Sequence, residues 1–223
     1  MVELILASQS PRRQMLIRLA GYPFSVMAAD VDERSITDPD PVVNVVKTAV
    51  LKAHTIAQKT SATDKIIIAA DTTVVLDGCM LNKPREAREA TAMLHALRNR
   101  KHKVHTGLVL MDQRTGQQVE RVTTAVVTMR SYSDEEIAAY VASGDPMDKA
   151  GAYAIQHPLF KPVAQLAGCY PGVLGLPVCD LILALDELHV PRMADLTAVR
   201  QAHQVANFDS PCPVYDSLFT GNK

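Results

Sequence analysis

Along the chain, short apolar runs alternate with stripes of apolar residues spaced three and four apart, a pattern that predicts strands interleaved with helices. Residues 2–7 form a run rich in Ile and Leu, ended by Ser8-Gln9-Ser10-Pro11, and read as a buried strand feeding a loop. A helix is expected next, with Ser10 as N-cap, Pro11 in the first helical position, Leu16, Leu19 and Ala20 as apolar positions and Gly21 as its stop. Residues 24–29 read as a second strand leading into the acidic segment Asp30-Val31-Asp32-Glu33. From Pro41 to about Lys59 the pattern is helical, with Val42, Val45, Val46, Ala49, Ala53 and Ile56 on one stripe. Lys52 falls on that same stripe.

Residues 66–70 are a continuous apolar run, as in a strand covered on both faces, with Asp71 at its end. A second β run over 72–76 breaks at Asp77-Gly78, a hairpin signal. A helix over 86–98 carries Ala90, Met93, Leu94 and Leu97; antiparallel strands over 104–111 and 119–129 flank the turn Arg114-Thr115-Gly116. Ser133-Asp134-Glu135-Glu136 opens a capped helix that Gly144-Asp145-Pro146 stops. A loop and further β material lead to Leu176-Pro177 and a last apolar helix over 178–188. Residues 194–206 can form a helix, while 207–223 are polar, proline-bearing and expected to be loosely held. Together these elements argue an α/β or α+β fold with a mixed sheet.

Composition adds bounds. The 223 residues, 48% hydrophobic, suffice for one sizeable core or two lobes sharing a cleft. With 23 Lys and Arg against 24 Asp and Glu, there is no overall basic field for non-specific nucleic-acid binding, so any anion site must be local. The four cysteines, Cys79, Cys169, Cys179 and Cys212, include no C-x-x-C pair, so neither a disulfide framework nor a structural zinc site is indicated. The histidines show no metal-ligand spacing, and His102 and His105 fall on opposite faces of a strand. No segment resembles a secretory signal or a membrane span, and a soluble protein of the reducing cytoplasm is expected.

Four features carry candidate chemistry. Arg12 and Arg13 occupy a first helical turn, where the dipole favours acids, and that inversion fits a polyanion docked beside the serine-bearing loop. A pair of solvated surface arginines fits it equally. Asp71, where a buried strand emerges, is placed for metal or water chemistry, or is a turn aspartate. Lys52 on an apolar stripe needs a carboxylate or phosphate partner, or snorkels to water. Asp30, Asp32 and Glu33 offer oxygen ligands for Mg²⁺ or form a charged loop. Lys83-Pro84 and Asp148-Lys149-Ala150-Gly151 add cations beside turns. The phosphate-binding G-x-x-x-x-G-K-[ST] loop, G-x-G-x-x-G, G-x-S-x-G and H-E-x-x-H are all missing.

From Leu4 to about Leu188 the chain resembles the Maf family of nucleotide pyrophosphatases. The matching stretches are Leu4 through Arg13, Ala70-Asp71-Thr72, Lys83-Pro84, His102 through Gly107, Asp148 through Gln156 and Gly175-Leu176-Pro177. The resemblance implies a mixed, elongated α/β sheet with flanking helices, two lobes around a nucleotide cleft, as in inosine triphosphate pyrophosphatases. It accounts for one domain over 1–190, leaves an extension over 191–223 without an assigned role, and implies a divalent metal (Mg, Mn or Co) and a homodimer acting on a nucleoside triphosphate; charge and hydropathy argue against nucleic acid and membrane as partners. Asp71 matches the family's proposed proton acceptor. Ser8, Arg12, Arg13, Glu33, Lys52, Lys83, Lys149 and Gln156 match polar cleft positions, with Glu33 and Asp71 as the metal pair. Arg12, Thr72 and Gln156 resemble the dTTP/UTP type; an amide at Gln156 matches the N3–H and O4 edge shared by uracil and thymine and, flipped, accepts cytosine. The 7-methyl-GTP subtype and a non-catalytic regulator of septum formation remain the alternatives.

Overall fold

The computed structural model describes residues 2–60, 64–204, 208 and 212–220. Its centre is a seven-stranded mixed sheet built from β1 (Glu3–Leu6), β2 (Phe24–Val26), β3 (Lys65–Leu76), β4 (Cys79–Leu81), β5 (Lys101–Asp112), β6 (Gln118–Met129) and β7 (Val163–Ala167). The order is β2-β1-β3-β5-β6-β7, with β4 also on β3. β1 runs parallel to β2 and β3, and the remaining pairs are antiparallel.

The period-2 alternation of the strands divides the apolar residues between two cores. Ile5, Ala7, Ile67, Ala69 and Val109 meet Ala49, Ala53 and Ile56 of α2 (Pro41–Lys59) on one face. Leu4, Leu6, Ile66, Ile68, Ala70, Leu108 and Leu110 face the larger core. That core is closed by α1 (Pro11–Ile17), α3 (Ala87–Leu97), α4 (Asp134–Ala142), α5 (Tyr170–Val173), α6 (Val178–Glu187) and α7 (Leu196–His203). The expected mixed sheet with flanking helices is therefore present.

Local punctuation accounts for most boundaries. Asp77 (φ 52) and Gly78 (φ 80) make the two-residue hairpin between β3 and β4, with Leu76 opposite Cys79. Ser133 and Glu136 form a reciprocal capping box at α4. The helix from Pro11 tightens into a 3-10 turn over Arg18–Ala20 before Gly21, at φ 80, ends it.

Several expectations are corrected. Residues 66–70 and 72–76 are one strand, because β5 pairs with β3 continuously from Ile66 to Val75 and carries it straight through Asp71. The second strand stops at Val26, three residues early. On α2 the buried stripe is Val45, Thr48, Ala49, Lys52, Ala53 and Ile56, and Val42 is exposed, because the helix enters from its Asp40 cap before it reaches the sheet. The helix expected over 194–206 covers Leu196–His203, and residues 205 and 206 lie outside the described residues. The expectation of a loosely held 207–223 fails for Cys212 and Leu218, which are buried in the larger core; 207, 209–211 and 221–223 lie outside the described residues. A short final helix, α8, spans Ser217–Thr220. No helix among the described residues is long and apolar enough to cross a membrane.

Candidate active site

The site forms where β3 lacks a neighbour on one edge. β5 occupies one side of β3 along Ile66 to Val75, so β1 and β4 share the other. β1 reaches only Ile68 and β4 begins only at Val74, which leaves residues 69–73 with no laddered strand on that side. Asp71 and Thr72 sit in this gap, at the carboxyl end of β1 where the chain turns into Ser8-Gln9-Ser10. Crevices of this kind, outside the ends of parallel strands, are where open α/β sheets bind ligands. Asp71 is thus a mid-strand residue at an edge the sheet leaves open, and the expectation of a strand end is corrected in that form.

Strand alternation sends Asp71 to the α2 face and Thr72 to the other. On the α2 face, Lys52 Nζ lies 2.7 Å from Asp71 Oδ1 and 2.7 Å from Glu33 Oε1. Lys52 is only 4% exposed, so its ammonium is held there by the two carboxylates and not by water. Glu33, in the 3-10 turn Glu33–Ser35, also receives Lys83 Nζ at 3.2 Å on Oε2. Burial alone would raise the Glu33 carboxyl, but Lys52 and then Lys83 overcome it and hold it at about 2. Asp71 Oδ2 makes no hydrogen bond or ion pair with the described residues.

Gly107 sets how closely α2 approaches. It pairs with Asp71 across β3 and β5, and a Cβ there would stand 2.7 Å from the Val45 carbonyl oxygen. The absent side chain lets the helix backbone lie on the sheet, within reach of Asp71 for Lys52 two turns further on.

On the opposite face Arg13 is clamped by three acceptors: Nε donates to Gly175 O at 2.8 Å, Nη1 to Ser8 Oγ at 3.3 Å and Nη2 to Thr72 Oγ1 at 3.3 Å. Thr72 Oγ1 also pairs with Thr106 Oγ1 at 2.9 Å, and Thr106 Oγ1 donates to Gly172 O at 2.8 Å. Desolvation lowers the Arg13 guanidinium, and the charges of Asp71 and Glu33 oppose that, so the two faces are in electrostatic contact across the open edge. Ser10 occupies the N-cap of α1, yet its hydroxyl makes no capping bond. Arg12 is half-buried and makes no hydrogen bond or ion pair among the described residues.

Ser8, Arg13, Glu33, Lys52, Asp71, Thr72 and Lys83 therefore converge, with Arg12 adjoining. Lys149 does not join them by any contact: its Nζ is taken up by Asp145 (Oδ1, 3.0 Å) and Asp148 (2.6 Å). Gln156 is exposed and makes no hydrogen bond among the described residues. Thr106, Gly107 and Gly175 had no part in the reading of residue chemistry. Their signal was present in the stretches His102 through Gly107 and Gly175-Leu176-Pro177, but threonine and glycine carry no charge to draw attention.

At the open strand edge of this mixed α/β sheet, a carboxylate–lysine–carboxylate cluster thus stands beside an anchored arginine. The chain belongs to the Maf-like protein family, whose profile matches residues 3–188. A protein of Syntrophotalea carbinolica called dTTP/UTP pyrophosphatase is 38% identical over 85% of this chain and 86% of its own. A second of that designation, from Geotalea uraniireducens, is 42% identical over 83% of this chain and 94% of its own. Among solved structures, a HAM1 protein from Coxiella burnetii aligns with 70% of this chain and 89% of its own, at 18% identity and a TM-score of 0.42.

Proposed function

We propose that this chain hydrolyses a pyrimidine nucleoside triphosphate, dTTP or UTP with CTP as a lesser substrate, to the monophosphate and pyrophosphate. The observation that carries this reading is the Lys52 ammonium held 2.7 Å from both Asp71 and Glu33, beside Arg13, in a chain of this family. Cutting between the α and β phosphorus needs an oriented water, neutralisation of the phosphate charge and a stabilised leaving pyrophosphate. Asp71 holds Lys52 through Oδ1 and turns Oδ2 to the water as proton acceptor. Arg13 uses three of its five N–H groups within the protein, and the rest, with Arg12 and Lys83, face phosphate oxygens.

Glu33 and Asp71 are oxygen donors of the kind a hard divalent cation takes, and in this structure Oε1 and Oδ1 are engaged by the Lys52 ammonium. Mg²⁺, Mn²⁺ or Co²⁺ held by Glu33 and Asp71 would add charge neutralisation at the phosphates and lower the pKa of water. Thr72, Arg12 and Gln156 select the base in this reading, and Ser8 and Lys149 complete the cleft. The resemblance also supports a cytoplasmic homodimer, for which sedimentation should give twice 24.3 kDa.

The deciding experiment is pyrophosphate release from a panel of nucleoside triphosphates with each metal. Turnover of dTTP and UTP is expected, and Asp71→Asn with intact folding should lower kcat at least about 100-fold. Preference for 7-methyl-GTP would overturn the base assignment. An Asp71→Asn protein working at the wild-type rate would remove the proton acceptor, and no hydrolysis with any metal would leave a regulator.

A further inference from the structure

The sequence places three of its four cysteines far from any paired-cysteine spacing, and the fold nevertheless gathers them. Cys169 is the N-cap of α5, Cys179 lies in the first turn of α6, His203 ends α7, and Cys212 precedes the last turn. All four are buried. The ligand atoms of Cys169, His203 and Cys212 lie within 4.8 Å of one another. His203 Nε2 stands 3.6 Å from Cys169 Sγ and 3.5 Å from Cys179 Sγ. We propose that Cys169, Cys179, His203 and Cys212 form a tetrahedral zinc site that fastens the C-terminal segment to the family domain.

The two nitrogen–sulfur distances are those the metal requires. Zn–S near 2.3 Å and Zn–N near 2.0–2.1 Å give a tetrahedron whose sulfur–nitrogen edge is about 3.6 Å. The imidazole is already oriented: Nδ1 faces Val199 O at 2.7 Å, so Nδ1 carries the proton and the Nε2 lone pair faces the sulfurs. Cys169 Sγ accepts the Gly172 N–H at 3.3 Å, an outer-shell bond suited to a thiolate. Buried cysteine is ordinarily a small hydrophobe, but three weak S–H donors around one imidazole nitrogen in a dry interior satisfy one another poorly. A disulfide would engage two sulfurs and leave the third with His203.

The ligands also divide by origin. Cys169 and Cys179 lie inside the family match, which ends at 188, and His203 and Cys212 lie beyond it. The site is distinct from the one formed by Glu33 and Asp71, which offers oxygen donors alone. It still lies one layer behind the cleft, since Gly172 bonds Cys169 through its N–H and Thr106 through its carbonyl.

The test is metal analysis of the untagged full-length chain grown with zinc and dialysed against EDTA. One zinc per chain is expected, retained in Cys79→Ser, whose thiol is exposed, and lost from Cys212→Ser and His203→Ala together with roughly 10 °C of melting temperature. Cobalt exchanged into the wild type should show the absorption of tetrahedral, thiolate-bound Co²⁺, and a mercurial should release zinc as the buried thiols react. Those two measurements decide the matter if the variants fail to fold. Free thiols that take up neither metal, a disulfide among Cys169, Cys179 and Cys212, or zinc unchanged in both variants would overturn the proposal.

Discussion

Lys52 is the residue on which the cleft turns, because its buried ammonium is paired with two carboxylates at once. Removing a partner from such a cluster leaves an uncompensated charge, a larger effect than loss of the attraction itself. Glu33 makes this measurable. Its carboxyl ordinarily titrates near 4.5 and is held at about 2 in the fold, so its folded pKa is depressed. A depressed carboxyl contributes stability that is complete above the unfolded value and lost as pH falls through the folded one. The wild type should therefore lose its advantage over Glu33→Gln between pH 4.5 and 2, with urea midpoints converging at the acid end. Midpoints that stay equally separated across this window would show that Glu33 is not held by Lys52 and Lys83.

At the scale of elements, the sequence was most legible where structure is local. Asp77-Gly78, the Ser133–Glu136 box and the Pro41 helix start each act within a few residues, and each boundary lies where its residues put it. Strand β3 was misread because Asp71-Thr72-Thr73 interrupts an apolar run, and only a long partner such as β5 keeps a strand extended through polar residues. The charged half of the cleft was visible in residue types. Its scaffolding was not, since the value of Gly107 lies in the passage of Val45 above it. The zinc-type cluster was invisible for a related reason: its members sit at the ends of three helices and in a following loop, and no spacing rule spans them. Gly107→Ala tests the approach of α2 directly. The added methyl, 2.7 Å from a backbone carbonyl, cannot be relieved by a rotamer, so α2 must move. A cost of about 1–3 kcal/mol is expected by urea unfolding. Turnover should fall further than stability accounts for, because the movement draws Lys52 from Asp71. Full activity at wild-type stability would mean that α2 tolerates the displacement.

For the whole molecule, the question is whether the segment after 188 is an appendage or part of the fold. Burial favours the second. Val199, Cys212 and Leu218 belong to the same apolar cluster as Leu181 and Leu185 of α6, and Arg192 ties the segment to Asp186 of α6 while also holding the segment's own Leu218 carbonyl. A chain ending at 188 would expose the α5 and α6 surfaces that these residues cover. Several buried side chains would be lost at once, which costs at least about 3 kcal/mol, or roughly 6–12 °C in melting temperature for a chain of this length. Calorimetry of the full chain should give a single transition, and the shortened chain should melt earlier or aggregate on purification. An unchanged melting temperature after truncation would make the segment an independent extension. Because Cys169 contacts Gly172, and Gly172 is hydrogen-bonded to Thr106 beside Thr72 and Arg13, the shortened chain should also bind nucleotide less tightly than its residual fold alone would suggest.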